Sequence, residues 1–344
     1  MRIAIIGFGK VGKAFLTLIN EKMGELQING ISLEIISIMN STGGCFDYTG
    51  IELKELLEIV KNNKSISTHS SYSNEVDADY LIKHGNLDSV ILITPTDKDK
   101  GEPGITYARK FLSNGINLIV GDKGPILLSY WELKELAMKS NCTLAIGCTT
   151  GGALPSINFG LIDISGSRLI EIKGILNGTS NYILEQMEKE SVSFQMALEI
   201  AQTLGIAERN PSLDVEGYDT ATKLLIIYNV LMNENKTLKD IKVSGITKLT
   251  LADIEESKTH GFKYKLVGKA EFKNGNFQLT VGVEKVYLND PLYNVDGRNK
   301  AIQFKTDTLG DLTVIGGASD TLAAAASLLR DLINIHKGID FTKF

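Results

Sequence analysis

Short apolar runs alternate with helix-length amphipathic segments through the first 146 residues. The apolar runs have the length of buried strands and lie at residues 3–6, 31–39, 90–93, 116–120 and 143–146. Helical periodicity marks residues 13–19, 52–61, 75–84 and 126–140, and a polar loop occupies residues 62–74. Strands that alternate with helices predict βαβ units, so residues 1–146 are expected to form a Rossmann-type, doubly wound parallel sheet in an α/β fold.

The pattern changes at a glycine-rich crossing near residue 147. An alternating strand is predicted at 168–176, and a hairpin is predicted from strands 264–272 and 277–286 around the turn Lys273-Asn-Gly-Asn. The predicted strand leads through the small-residue turn of 177–183 into a helix, and further helices are expected at 193–204, 213–232 and 250–258, with a polar linker at 233–245. Residues 147–305 thus predict a second, α+β domain. A strand, a glycine turn and a long apolar helix follow from 313, so residues 306–344 are expected to return to the first domain.

The N-terminal turn reads Gly7-Phe-Gly9-Lys10-Val11-Gly12. A lone G-x-G-x-x-G is a weak signal, but this one follows an apolar strand and opens an apolar helix. Gly7 would permit a tight turn, Gly9 the close approach of a pyrophosphate, and Gly12 close helix–strand packing. The N–H groups at the start of the helix also suit phosphate. These features predict a dinucleotide site, against the alternative of a glycine turn without a ligand.

The end of the second strand bears on the choice of cofactor. NAD sites usually carry an acid there for the ribose 2′-hydroxyl, and NADP sites an arginine nearby. This chain has the neutral Asn40 and Ser41. Because no carboxylate would repel a 2′-phosphate, the pattern leans slightly toward NADP and leaves NAD open.

Two more strand ends are expected beside the cofactor. Thr94 and Pro95 follow the strand at 90–93, and Lys123 follows the strand at 116–120 within G-D-K-G-P. Ligands of open parallel sheets lie outside the carboxyl ends of the strands, so these residues should face the cofactor. The alternative for Lys123 is a loop lysine in water.

The stretch from Gly205 to Lys223 carries the most unusual charges. It places four of them ahead of the apolar run 224–232, namely Glu208, Asp214, Asp219 and Lys223. Asp219 and Lys223 are four residues apart and share one helix face, and the following turns are apolar nearly all round. We therefore expect this pair on the floor of a cavity. The alternative is an exposed ion pair that stabilises the helix by about 0.2–0.5 kcal/mol.

A second small-residue turn, Asn177-Gly-Thr179-Ser180, links a strand to a helix. The exposed N–H groups of such a turn suit a substrate carboxylate better than a pyrophosphate. The alternative is that Thr179 or Ser180 is only a helix N-cap.

Composition excludes several classes of function. The 344 residues are 43% hydrophobic and 22% charged, with a net charge of −5 and a pI near 5.6. Such values are ordinary for a globular protein and argue against a nucleic-acid or anionic-membrane surface. The chain shows no apolar run of membrane-spanning length and no N-terminal signal pattern. Three cysteines without a C-x-x-C pair and four scattered histidines give a zinc site no support. A cytoplasmic location is expected.

A dinucleotide fold joined to a domain with buried acid and base groups indicates a dehydrogenase. The nicotinamide supplies the hydride chemistry, while the protein orients the substrate and moves a proton. A partly desolvated lysine can take the proton of an alcohol near neutral pH, so Lys223 and Lys123 are the candidates. Asp219 would orient Lys223 or bind the hydroxyl, and Glu208 or Asp214 would pair with a substrate ammonium. The residues alone predict an NAD(P)-dependent dehydrogenase of an amino acid-like alcohol.

Almost the whole chain resembles the homoserine dehydrogenase family, in the short form without an ACT or aspartate kinase domain. The resemblance is carried by G-F-G-K-V-G at 7–12, G-D-K-G-P at 121–125, G-G-A-L-P at 151–155, G-I-L-N-G-T-S-N-Y-I at 174–183, the stretch 205–223, D-P-L at 290–292, G-R-N-K-A at 297–301, and G-G-A-S-D-T-L-A-A-A-A at 316–326. It implies the reversible, NAD(P)-dependent interconversion of L-homoserine and L-aspartate 4-semialdehyde, in threonine and methionine biosynthesis, by a homodimer formed through the second domain.

The resemblance also implies roles for individual residues. Lys223 would be the acid/base residue, with Lys123 as a second lysine in the active site. Glu208, Asp214 and Asp219 would contact the substrate, with Thr179 near its carboxylate. The glycines Gly205, Gly316 and Gly317 would join Thr94 against the nicotinamide half of the cofactor.

The chain departs from the family at three places. Val120-Gly-Asp-Lys123 stands where the family often has T-A-N-K, and the lysine is retained. Gly147 stands where the family has a glutamate that helps to hold a monovalent cation. The cation would keep only the backbone carbonyls of Thr150, Gly152 and Leu154, so an intact metal site is not expected. The neutral end of the second strand is the third departure.

Two other functions remain open from the residues. One is a dehydrogenase of another small amino or hydroxy acid. The other is a non-catalytic dinucleotide-binding sensor, which predicts loss of the charges that this chain retains.

Overall fold

A computed structural model describes residues 1–317 and 320–344, which fold into two compact units. The first unit consists of Met1–Thr149 and Asp320–Phe344, and the second consists of Thr150–Ser319. The positions expected in the C-terminal glycine turn at Ala318 and Ser319 lie outside the described residues.

A seven-stranded sheet forms the centre of the first unit. Its strands are β1 (Arg2–Ile6), β2 (Glu34–Asn40), β3 (Gly43–Phe46), β4 (Tyr72–Ser73), β5 (Ser89–Leu92), β6 (Asn117–Val120) and β7 (Leu144–Ala145). The sheet order is β4-β3-β2-β1-β5-β6-β7, and only the edge pairs β2–β3 and β3–β4 are antiparallel. Strands β1 and β5 are buried almost throughout, as expected where helices cover both faces of a parallel sheet.

The helices in chain order up to the end of the first sheet are α1 (Lys10–Ile28), α2 (Leu53–Lys61), α3 (Ala78–His84), α4 (Gly104–Ser113), α5 (Lys123–Lys139) and α6 (Cys148–Gly151). Helix α1 buries Phe15, Leu16 and Ile19, all with no exposed surface. The doubly wound parallel sheet that the sequence predicts is confirmed.

A six-stranded sheet forms the second unit. Its strands are β8 (Leu169–Ile175), β9 (Ile241–Val243), β10 (Phe262–Lys273), β11 (Asn276–Tyr287), β12 (Lys300–Thr306) and β13 (Asp311–Gly316), in the order β13-β12-β8-β10-β11-β9. The helices are α7 (Ser156–Ile162), α8 (Gly178–Glu190), α9 (Phe194–Thr203), α10 (Ser212–Val215), α11 (Tyr218–Met232) and α12 (Leu251–His260). The expected hairpin is β10–β11, which turns at Asn274 and Gly275, both with positive φ.

The last helix, α13 (Thr321–His336), belongs to the first unit and packs against α1. Strand β13 belongs to the second sheet, where it pairs with β12. The division of the chain therefore falls after residues 149 and 319, whereas the sequence places it after 146 and 305. Residues 306–316 extend the second sheet because their alternation completes a hairpin with β12, a strand that the sequence analysis did not identify.

Local structure also differs from the prediction in both units. The helix expected at 213–232 is two helices, α10 and α11, because Gly217 between them has a φ of +90°. The polar segments at 62–74 and 233–245 contain the short strands β4 and β9. Strand β3 was missed because Gly43-Gly-Cys-Phe46 has the composition of a turn.

Candidate active site

A cavity of about 580 Å³ lies at the carboxyl ends of β1 and β5, where the sheet order reverses direction. Ligands of doubly wound sheets bind at this position. Eight of the predicted cofactor residues line the cavity, namely Gly7, Gly9, Lys10, Val11, Gly12, Asn40, Thr94 and Pro95. The neutral Asn40 and Ser41 are the lining residues at the end of β2.

The three glycines of the turn differ in the space around them. Gly7 has a φ of +104°, and a Cβ atom there would lie 2.3 Å from the carbonyl oxygen of Ile93. A Cβ atom on Gly12 would lie 2.5 Å from the carbonyl oxygen of Gly7. Gly9, which caps α1, has nothing within 4 Å of its Cβ position. Gly7 and Gly12 therefore allow the backbone to pack, whereas Gly9 leaves open space at the N-terminus of α1, which fits a pyrophosphate.

Asp122, which was not identified from the sequence, binds Thr94, one of the residues that line this cavity. It caps α5 by accepting a hydrogen bond from Gly124 N at 2.9 Å, and it accepts another from Thr94 Oγ1 at 2.8 Å. Burial raises the pKa of the Asp122 carboxyl, while hydrogen bonds from Gly124, Thr94 and Thr96 act in the opposite direction. The carboxylate thus joins the loop after β5 to the start of α5, whose first residue is Lys123.

In the second unit, Asp219 and Lys223 form the ion pair that their spacing predicts. Lys223 Nζ lies 2.6 Å from Asp219 Oδ2, and each side chain is only 12% exposed. Lys223 Nζ also donates to the carbonyl oxygen of Leu176 at 2.9 Å. The pair lies on the first two turns of α11, where Ala221 is buried, as are the residues from Leu224 to Val230. The alternative of an exposed surface pair does not describe this geometry.

Asn177 joins the acids of this cluster. Its Nδ2 donates to Asp214 Oδ1 at 2.7 Å and to Asp219 Oδ2 at 2.8 Å. Its Oδ1 accepts from Ser180 N at 2.8 Å and thereby caps α8. Because the cap fixes the orientation of the amide, Nδ2 points at the two carboxylates. The N-cap is therefore Asn177, not Thr179 or Ser180, and an Asn before G-T-S is the signal that could have shown it.

The other predicted site residues are divided between the two units. The side chain of Glu208 is exposed, and its backbone carbonyl accepts a hydrogen bond from Gln202 Nε2 at 3.0 Å. Thr179 Oγ1 donates to the carbonyl oxygen of Ile206 at 3.3 Å. Lys123 belongs to the first unit, as the first residue of α5, and Gly205, Gly316 and Gly317 belong to the second, all with positive φ. Their roles stay predictions.

A second buried lysine cluster lies beside α8. Lys265, 1% exposed, donates to Asn181 Oδ1 at 3.1 Å and to the carbonyl oxygen of Val295 at 2.7 Å. Burial raises the pKa of Asp296, but the charges of Lys265 and Lys263 outweigh it and hold that pKa below its usual range. Periodicity alone gave no sign of this cluster, because a lysine inside a strand is usually exposed.

Together, the switch-point cavity, the open Gly9 and the buried acid–lysine pair define a dinucleotide-dependent dehydrogenase of the α/β class. The homoserine dehydrogenase family model matches residues 155–333. The chain belongs to the homoserine dehydrogenase family, as its resemblance in sequence predicts.

Relatives match along almost the full length. A homoserine dehydrogenase from Methanocaldococcus jannaschii is 35% identical over 98% of both chains. An NAD(+)-dependent homoserine dehydrogenase from Pseudomonas canavaninivorans is 31% identical over 98% of this chain and 96% of its own. A hyperthermophilic archaeal homoserine dehydrogenase mutant solved with NADPH is 25% identical, with a TM-score of 0.83 over 98% of this chain and 97% of its own. Among the described residues, no helix is long and apolar enough to cross a membrane.

Proposed function

We propose that this chain interconverts L-homoserine and L-aspartate 4-semialdehyde with NAD(P), and that Lys223 moves the proton. The observation that carries the assignment is the buried pair of Lys223 and Asp219. Membership of the family and the NAD(+)-dependent and NADPH-bound relatives support the reaction and the cofactor class.

The first unit would hold the dinucleotide on the turn from Gly7 to Gly12, with its phosphates at the N-terminus of α1. When bound, the nicotinamide accepts or returns the hydride. The cavity has no carboxylate at the end of β2 to select NAD, since Asn40 and Ser41 stand there. We therefore propose use of either dinucleotide, with a slight preference for NADP.

Lys223 is positioned to donate a proton to the substrate. Two of its three N–H groups are held, by Asp219 and by the carbonyl of Leu176. Within residues 1–317 and 320–344, these are the acceptors of its ammonium, so the third N–H is available to a substrate oxygen. In the reductive direction this ammonium gives its proton to the oxygen of the forming alcohol. In the oxidative direction the neutral amine takes the hydroxyl proton as the carbon–hydrogen bond transfers its hydride.

The neighbouring acids would position the amino acid end of the substrate. Asp214 and Asp219 present carboxylates held by Asn177, which suits a substrate ammonium. Thr179 lies in the first turn of α8, where N–H groups and the helix dipole favour a carboxylate. Glu208 is proposed as a further contact to the ammonium, and Lys123 as the second lysine of the site.

The test is an assay of L-homoserine with NAD⁺ and with NADP⁺, followed by the absorbance of the reduced cofactor. The wild type should be active and Lys223→Met should lose about 10²–10⁴-fold in kcat, the usual contribution of a positioned acid/base group. Lys139→Met is the matched control, because Lys139 also forms an i,i+4 pair, with Glu135, but both side chains are over two-thirds exposed at 72% and 70%. An inactive wild type, or a fully active Lys223→Met, would refute the assignment. A panel of alcohols without the ammonium group tests whether another small hydroxy acid is preferred.

We also propose that the enzyme is a homodimer formed through the second unit and acts in the cytoplasm. The second unit carries exposed apolar side chains, among them Ile315 of β13 at 52% and Leu288, just after β11, at 73%. The three cysteines are buried, and none forms a disulfide within the described part of the chain, which supports a reducing compartment. Light scattering after gel filtration tests the first point, and cell fractionation tests the second.

A further inference from the structure

The loop that follows α6 is held by a lysine of the second sheet. Lys300, the first residue of β12, is 3% exposed and donates from Nζ to the carbonyl oxygen of Gly151. A Cβ atom on Gly152, which has a φ of +57°, would lie 3.6 Å from the same Nζ. The ammonium therefore lies against the backbone of residues 151 and 152. A buried ammonium needs such acceptors, because desolvation without them is costly.

The same loop contains the carbonyls expected to face a monovalent cation. They belong to Thr150, Gly152 and Leu154, on both sides of the carbonyl that Lys300 contacts. Backbone hydrogen bonds inside the loop also stabilise it. Ser156 N donates to the carbonyl oxygen of Leu154 at 2.8 Å, and Leu154 N donates to the carbonyl oxygen of Gly151 at 3.2 Å. A Cβ atom on Gly317 would lie 2.5 Å from Leu154 N, so the loop also packs against the backbone after β13.

These residues do not fit a resident metal ion. Gly147 offers no carboxylate, and among the described residues no group of three or more His, Cys, Asp or Glu side chains could hold a metal. The carbonyl of Leu154 already accepts a backbone hydrogen bond. A cation bound on this loop would also share a poorly solvated space with the positive charge of Lys300, and like charges repel strongly there.

We propose that the ammonium of Lys300 takes the place of a bound monovalent cation and holds the loop 150–154 in position. Lys300 is thus a positioning residue, and the protein needs neither Na⁺ nor K⁺ for its stability or its activity. The statement about activity rests on the proposed function, whereas the statement about stability does not.

The experiment compares thermal unfolding in NaCl, KCl and choline chloride at equal ionic strength. Choline is too large to occupy a carbonyl-lined site, so it supplies ionic strength alone. The wild type should unfold at the same temperature in all three salts. Lys300→Met should unfold at a lower temperature in choline chloride and recover part of the loss in NaCl or KCl, because removal of the ammonium opens the site to a metal ion. Lys300→Arg, which retains the charge, should show no such recovery.

Lys265→Met is the control, since Lys265 is equally buried in the same unit but contacts Asn181, Val295 and Asp296 instead of this loop. Lys265→Met should unfold at a lower temperature than the wild type, and the decrease should be the same in KCl as in choline chloride. Under the same salts, kcat of the wild type should not change, and that of Lys300→Met should fall by up to about 100-fold, the loss that a small displacement of catalytic groups can cause.

Wild-type protein stabilised or activated severalfold by Na⁺ or K⁺ over choline would overturn the proposal. So would a Lys300→Met variant that neither ion restores in preference to choline. If Lys300→Met does not fold, the wild-type comparison still decides the point. The melting experiment uses no substrate, so its failure is separate from failure of the proposed reaction.

Discussion

The buried pair of Asp219 and Lys223 allows its catalytic and structural contributions to be separated. The perturbation is a cycle of three variants, Lys223→Met, Asp219→Asn and the double variant. At 2.6 Å, and with each side chain 12% exposed, the pair is far from the surface pairs that contribute almost nothing. With an effective dielectric constant of about 20, the attraction across that distance is about 6 kcal/mol. Most of it offsets the cost of taking both charges out of water.

The single variant Lys223→Met leaves the Asp219 carboxylate buried without its ammonium partner, although Asn177 still donates a hydrogen bond to it. Loss of one partner of a buried pair costs about 3–5 kcal/mol, and we expect the lower end because the site is not fully closed to water. The double variant removes both charges, so stability should return to within about 1 kcal/mol of the wild type, as for neutral replacements of buried pairs. Activity should stay lost in both variants that lack Lys223, because the proposed proton donor is absent from both.

Urea unfolding measures the stability, and the homoserine assay measures kcat on the same preparations. A Lys223→Met protein as stable as the wild type would show that the pair is not buried in solution. A double variant with restored activity would refute the role of Lys223 in proton transfer.

Three further predictions follow from the site. Gly9→Ala should fold normally, since its Cβ position is open, but should bind NAD(P) more weakly, whereas Gly7→Ala should be unstable because its Cβ would lie 2.3 Å from Ile93 O. Titration calorimetry measures the affinity for NAD(P) and thermal melts measure the stability. Equal losses of stability in the two variants would contradict the reasoning. Asn177→Asp retains the α8 cap but sets a third carboxylate against Asp214 and Asp219, so KM for homoserine should rise about tenfold or more, from one like-charge contact. Asp296 has a pKa below its usual range, so its contribution to stability is complete above the unfolded pKa near 4 and is lost as the pH falls below it. Asp296→Asn should therefore be less stable than the wild type at pH 7, and its free energy of unfolding should fall less steeply as the pH is lowered below about 4. Urea unfolding over this pH range measures both proteins. Parallel plots of unfolding free energy against pH for the two proteins would contradict the prediction.

The parts of the site that could be predicted from the sequence are formed by residues close together along the chain. The turn from Gly7 to Gly12 and the pair Asp219–Lys223 each lie within one strand-turn-helix or one helical turn, where spacing alone sets which groups meet. The residues that were missed meet across long separations. Asn177 reaches Asp214 and Asp219 from 37 and 42 residues away, and Asp122 reaches Thr94 across 28. The periodicity of apolar and polar residues along the chain does not predict contacts between residues so far apart.

The sequence by itself determined the α/β class, the parallel first sheet, the dinucleotide turn and the family, because these depend on local patterns of apolar, glycine and charged positions. Only the tertiary structure decided which polar groups share a buried space. It placed Glu208 at the surface, made Asn177 the link between two acids, and set the ammonium of Lys300 against the loop whose carbonyls would face a monovalent cation. The physical reason is that burial and hydrogen-bond geometry arise when distant strands and helices pack together, and a charged residue is read as exposed until that packing is known.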